Sequence, residues 1–190
     1  MLFKTALFFC FCFSNTVALA SGPGTTSANF LKIPVGARQT ALGSAFTAVA
    51  DDVNAVYYNP GGLAQLDRAE VTFVHNRYFE DISQQWLAGA FPSKAGVFGL
   101  GLNYLSISEF DAYDNNDNRV GSVSAYDMAA NFSYANRYLP NSTALASIFY
   151  GANLKYLIER LDVEKASGFG LDLGILIKPK IRNLNLAFAG

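Results

Sequence analysis

From Glu70 onward, apolar and polar or small residues alternate with a period of two, the pattern of strands with two unlike faces. Phe169, Leu171, Leu173, Ile175 and Ile177 share one face, against Gly168, Gly170, Asp172, Gly174 and Leu176. Over 148–159, Ile148, Tyr150, Ala152, Leu154, Tyr156 and Ile158 oppose Phe149, Gly151, Asn153, Lys155, Leu157 and Glu159. Over 126–137, Tyr126, Met128, Ala130, Phe132 and Tyr134 oppose Asp127, Ala129, Asn131, Ser133 and Arg137. Phe98, Leu100, Leu102 and Tyr104 oppose Gly99, Gly101 and Asn103. With noisier runs at 70–79, 84–92 and 184–189, the pattern predicts about seven strands.

Two architectures produce such alternation. A soluble sandwich turns the apolar face inward; a transmembrane barrel turns it toward lipid and puts the small or polar face in the lumen. Three features favour the barrel. The runs are long for soluble strands. Their second face is Gly, Ala, Asn and single charges. Tyrosines recur near strand ends, at Tyr78, Tyr104, Tyr126, Tyr138 and Tyr156, as an interfacial belt requires. Short turns at 92–95 and 179–183 contrast with a long, acidic, Asn-rich loop expected over 106–122. The expected fold is all-β: an antiparallel transmembrane barrel over 69–190, incomplete within this chain.

Residues 21–68 break the pattern. An extended lead occupies 21–34, and the small-residue stretch 36–50 is helix-compatible and ends at Asp51-Asp52. Asn59 before Pro60 is an N-cap followed by proline at the first helical position, predicting a short helix from Pro60 to about Leu66. Residues 1–20 carry Lys4, an apolar run from Ala6 to Phe13, and Ala18-Leu19-Ala20. That is a Sec-type signal peptide with cleavage between Ala20 and Ser21; the run is too short for a membrane anchor. Both cysteines, Cys10 and Cys12, fall inside it. The exported chain then has no disulfide, thiolate or cysteine metal site.

Composition sharpens this reading. Only 15% of residues are charged, while Phe (16) and Tyr (10) are abundant; disorder needs the opposite. Lys+Arg 14 against Asp+Glu 15 leaves no basic surplus for nucleic acid. Beyond the leader no helical stretch approaches membrane-spanning length, so a membrane form must be a barrel.

The head carries a recognisable motif. Gly36-Ala37-Arg38, then Gly43-Ser44-Ala45-Phe46-Thr47-Ala48-Val49-Ala50-Asp51-Asp52, then Tyr58-Asn59-Pro60-Gly61-Gly62-Leu63 resembles the N-terminal signature of the PorV/PorQ outer-membrane proteins, which are related to FadL-like transporters of hydrophobic compounds. Gly61 stands where alanine is common. Ser124-Ala125-Tyr126-Asp127 and Gly151-Ala152-Asn153-Leu154-Lys155-Tyr156 extend the likeness. The resemblance implies that the head folds into the barrel lumen as a hatch, with Gly36, Arg38, Asp51, Asp52, Asn59 and Pro60 as its motif residues. Small residues at 36–50 suit close packing against a glycine-lined wall. Arg38, Asp51 and Asp52 are candidates to pair with lumen-facing Asp127, Arg137, Lys155 and Asp172, beside Asn153; the alternative is that these charges only solvate a wet lumen.

The resemblance implies outer-membrane localisation and transport or docking of secreted protein cargo in type IX secretion. Uptake of long-chain fatty acids or other hydrophobic small molecules is the alternative, and a secreted soluble β-sandwich binding module is the alternative from another class. The acidic loop from Glu109 to Arg119 disfavours a carboxylate ligand. Expected partners are outer-membrane lipid and a protein cargo or hydrophobic small molecule, with no nucleic acid and no cofactor. No enzyme chemistry stands out. Asp114 to Asn118 suggests calcium, but an EF-type loop counted from Asp114 puts Arg119 at the glycine position and Ala125 at the glutamate position. His75 is alone, and Gly168-x-Gly170 lies within a strand, so it opens no dinucleotide site. Trp86 is read as an interface or barrel-wall aromatic. Asn131-Phe-Ser133 and Asn141-Ser-Thr143 match the glycosylation pattern. A barrel of about eight strands is filled by its own side chains, leaving no room for the head. The odd strand count then points to the N-terminal portion of a longer protein.

Overall fold

The computed structural model describes residues 28–138, 147–179 and 184–190. The expected signal peptide and its cleavage site, the lead before Ala28, the Asn141 pattern and most of the 179–183 turn lie outside the described residues.

Seven strands form one antiparallel sheet in chain order: β1 (Glu70–Arg77), β2 (Ile82–Ser93), β3 (Gly96–Tyr113), β4 (Arg119–Tyr138), β5 (Ser147–Leu161), β6 (Glu164–Lys178) and β7 (Leu186–Ala189). Every pairing is between chain neighbours, and the sheet curls into a half-barrel. The head folds into short pieces: a 3-10 turn at Asn29–Lys32, α1 (Ala37–Leu42), α2 (Phe46–Val49), α3 (Ala55–Tyr58) and a 3-10 helix at Pro60–Gln65. The lead read as extended therefore contains a helical turn at its described end. No helix among the described residues is long and apolar enough to cross a membrane, which says nothing of a β-barrel.

The head packs into the concave face of the sheet. That face carries Gln84, Trp86, Ala88 and Ala90 of β2, Gly99 and Asn103 of β3, Asn131 and Ser133 of β4, and Asn153 of β5, most of them buried. One core joins Val35, Phe46, Val56 and Leu63 of the head to Trp86, Val97, Ala135, Phe149 and Leu176 of the wall. A smaller core sets Phe30 on Leu105 and Ala129. Nothing in the described chain covers the convex face. Leu171 on it is 65% exposed, whereas Asn153 on the concave face is fully buried. Large apolar side chains thus stand on both faces of this sheet, those of the concave face buried under the head and those of the convex face open.

The segment 106–122 differs from expectation. It is a β-ribbon: β3 runs on to Tyr113 and β4 begins at Arg119, leaving only 114–118 as the turn. Ser106 through Tyr113 keeps strand alternation, shifted by a bulge between Ile107 and Phe110. Cross-strand polar pairs support it beyond its neighbours. Arg119 lies 2.7 Å from Asp111, and the Ser122 hydroxyl donates to Glu109. The Asp114 carboxylate closes the turn by accepting from the N–H groups of Asn116 (2.8 Å) and Asn118 (2.9 Å). Those bonds hold it below the usual carboxylate range.

Candidate functional site

The tightest junction between head and wall is built from residues too small to keep the backbones apart. Asn59, fully buried, caps the 3-10 helix by accepting from the Gly61 N–H at 3.1 Å. Its amide donates to the Thr47 carbonyl at 3.0 Å and to Ile175 O on β6 at 3.4 Å. One side chain thus ties the cap, α2 and the wall together. Pro60 and Gly61 lie directly on Gly151 of β5 and Gly174 of β6. A Cβ on Gly174 would come within 2.2 Å of Asn59 Oδ1, and one on Gly151 within 2.7 Å of the Pro60 carbonyl. A Cβ on Gly61 would meet Gly174 O at 2.7 Å. The glycines of both partners are space for each other's backbone. Gly99 likewise admits Val56 and Leu63, since a Cβ there would meet their methyls at 2.8 and 2.9 Å.

Along the concave wall runs a polar ladder. Lys155 Nζ is 2.7 Å from Asp172. Asn153 donates to Asp172 (3.0 Å) and to Asn131 Oδ1 (3.1 Å), and accepts from the Ser133 hydroxyl (2.9 Å). Further round, the Gln84 amide donates to Asn103 Oδ1 at 3.3 Å, while Asn103 Nδ2 has no partner among the described atoms. All five residues expected to face the lumen share the concave face, but they do not form one cluster. Asn153, Lys155 and Asp172 meet. Asp127 stands across from Glu159 toward the ribbon end, and Glu159 accepts from Ala28 N–H at 2.6 Å. Arg137 lies at the other end, exposed, 3.5 Å from Asp67.

The hatch charges pair among themselves, which corrects the expected hatch-to-wall pairing. Arg38 binds Asp51 through two nitrogens, at 2.6 and 3.0 Å, and reaches Asp52 at 3.1 Å. Gln39 also donates to Asp52, at 2.6 Å. The 36–52 segment folds back on itself, so the Asp pair and Arg38 meet before either reaches the wall, while Lys155 pairs with Asp172 and Arg137 with Asp67. The Arg38 hydrogen bond holds the Asp51 carboxyl below its ordinary value, and Asp51 raises Arg38 in turn. Gly36 begins α1 at φ +80°, a left-handed position that favours glycine. A Cβ there would also meet Gln39 Oε1 at 2.2 Å.

Trp86, read as an interface or barrel-wall aromatic, stands in β2 of the wall with its side chain on the concave face, fully buried, donating to Asn54 Oδ1 at 2.9 Å and edge-on to Tyr57. Its parity with Gln84 and Ala88 is the signal that places it. Two head tyrosines add to the site. The Tyr57 hydroxyl shares its one proton between Leu31 O (2.6 Å) and Ile33 O (2.8 Å), and Tyr58 donates to Val35 O (2.9 Å). Their contribution is tertiary, and no spacing announces it.

A family model described as an uncharacterised protein family, UPF0164, matches residues 14–165. The chain belongs to UPF0164. A UPF0164 protein of Treponema pallidum (strain Nichols) is 34% identical over 103 residues, covering 50% of this chain and 24% of that relative. The match thus spans about a quarter of the relative's length. No solved structure matches. The UPF0164 match overturns the PorV/PorQ and FadL-like assignment. The motif behind that resemblance is a run of small residues around Asn59-Pro60-Gly61, which a close hatch-to-wall contact demands for packing reasons alone. Within UPF0164, the matched region holds the Asn59–Gly61 seat and its Gly151 contact; Asp172 and Gly174 lie beyond it.

Proposed function

We propose that this chain supplies wall and hatch of an outer-membrane β-barrel that serves passage or docking of cargo at that membrane, after export by the 1–20 leader. One observation carries the reading. The sheet buries one face, of mixed small, polar and apolar residues, under the head and leaves its other, largely apolar face open. In water that face would forfeit about 1.5–3 kcal/mol for each large side chain left exposed; against acyl chains the same face is at home. A soluble sandwich would bury the opposite face. Aromatic pairs along the convex side, Tyr104 with Tyr126 and Tyr156 with Phe169, suit an interfacial girdle.

The ribbon bears on the cargo. Glu109, Asp111, Asp114 and Asp117 outnumber Arg119 there, which favours docking of a protein over capture of a free carboxylate amphiphile. Two experiments test this reading. Heat-modifiable migration in detergent, with flotation on vesicles, tests the barrel; identical migration of boiled and unboiled samples contradicts it. Co-purification of exported proteins, set against growth on fatty acids, tests the cargo. A deletion that alters neither export nor uptake contradicts both forms of the reading.

A further inference from the structure

The apolar band of the convex face gives way to a more polar rim toward the ribbon end, where Arg77, Ser83, Ser106, Tyr126, Arg160 and Lys165 share one row. On β6 its outward residues are apolar from Phe169 to Ile177, whereas on β2 they are apolar only from Leu87 to Phe91, with Gly89 between. Register stacks rows of outward residues across β1–β3. The lowest is Val71, Gly89 and Leu100; the next is Phe73, Leu87 and Leu102. The Phe91 ring lies over Gly89, 3.0 Å from where a Cβ would stand, and beside it is an open groove of about 420 Å³ lined by Val71, Leu87, Phe91, Leu100 and Leu102 among others. The row directly above is His75, Gln85 and Tyr104, and above that Arg77, Ser83 and Ser106. Ser83 and Ser106 hydroxyls are 3.0 Å apart, and Arg77 reaches Asp81 at 3.2 Å through one nitrogen, leaving other guanidinium donors.

An apolar slot and a donor-rich cap thus stand in line along about 20 Å of strand. That is the shape of an amphiphile. Guanidinium, amide and phenol donors suit a phosphate diester, and the row lies level with Tyr104, where an interfacial girdle meets the lipid headgroups. We propose that the outer face of β1–β3 binds one phospholipid, an acyl chain in the Gly89 groove and the phosphodiester among Arg77, Gln85, Tyr104 and His75. This rests on the membrane reading above.

Native mass spectrometry of the full chain in detergent, titrated with phosphatidylglycerol, tests it. The wild type is expected to retain one lipid. Gly89→Leu, which drives the Phe91 ring off Gly89 and into the groove, should retain at least fivefold less. The exposed double substitution Arg77→Ala with Gln85→Ala, which leaves the hatch core untouched, should retain at least threefold less. Diacylglycerol of the same chain length should bind more weakly than phosphatidylglycerol. Equal retention by wild type and both variants overturns the proposal, as does equal binding of diacylglycerol, or a dimer that excludes lipid and is broken by Gly89→Leu. Vesicle flotation of the same proteins separates the two readings. If the wild type does not float, the membrane reading falls and takes this one with it. If all float yet hold lipid equally, only the phospholipid site falls.

Discussion

Leu173 and Gly174 are adjacent in the chain and point to opposite worlds. Leu173 stands on the convex face, 60% exposed, among other large apolar side chains. Gly174 faces the hatch so closely that a single methyl would strike Asn59 and Pro60. The convex face offers side chains and the concave face offers backbone. A partner held by side chains can be fluid and non-specific. A partner held at backbone distance must be shaped, which is why Asn59-Pro60-Gly61 is so particular and the convex residues are interchangeable leucines, isoleucines and phenylalanines.

Substitutions at the two faces should break this contrast in different ways. The largest effect is expected from Leu173→Arg. In a membrane wall it costs about 2–4 kcal/mol near the midplane, whereas an exposed position in water costs no more than about 0.5 kcal/mol; denaturant titration in detergent micelles against lipid vesicles reads the difference. Gly174→Ala follows, at about 1–3 kcal/mol for overpacking, together with faster proteolysis of the 28–66 hatch. Asn59→Ala removes a cap and two donated hydrogen bonds, for about 1–2 kcal/mol, and should expose the hatch to protease without altering lipid partition.

The smallest effect is electrostatic. The folded-state pKa of Asp51 is lowered by Arg38, so its contribution is complete above the unfolded aspartate value of about 3.9 and is lost as pH falls through the folded value. Both side chains are about half exposed, which limits the pair to under about 1 kcal/mol. Thermal unfolding of wild type and Asp51→Asn should differ at pH 6 and converge in acid; a constant gap across pH removes this pair from the account.

Much of this was legible in sequence, and for a reason. Alternation along β3, β4, β5 and β6 is a one-dimensional property, so the strands themselves and the shared face of Asp127, Asn153, Lys155 and Asp172 follow from it. The cap at Asn59 is local as well. The ribbon reads as a loop because Asp, Asn and Ser dominate it, although its cross-strand pairs need no apolar face. The partners of Arg38 depend on how 36–52 doubles back, and the concave side of Trp86 follows from its parity with Gln84. The seat of Pro60 and Gly61 on Gly151 and Gly174 joins residues about ninety or more positions apart, which no local pattern reports.

The central claim is that alternate residues of one strand meet lipid and hatch. It is tested most directly by single cysteines placed in turn at 169, 171, 173, 175, 176 and 177 of the full chain in vesicles, in a Cys10→Ser, Cys12→Ser background, each spin-labelled and probed with oxygen and a water-soluble nickel complex. The account predicts high oxygen and low nickel accessibility at 169, 171, 173, 175 and 177, with both low at 176, where the hatch packs. Equal accessibility at neighbouring positions, or nickel reaching 171 and 173, would contradict it.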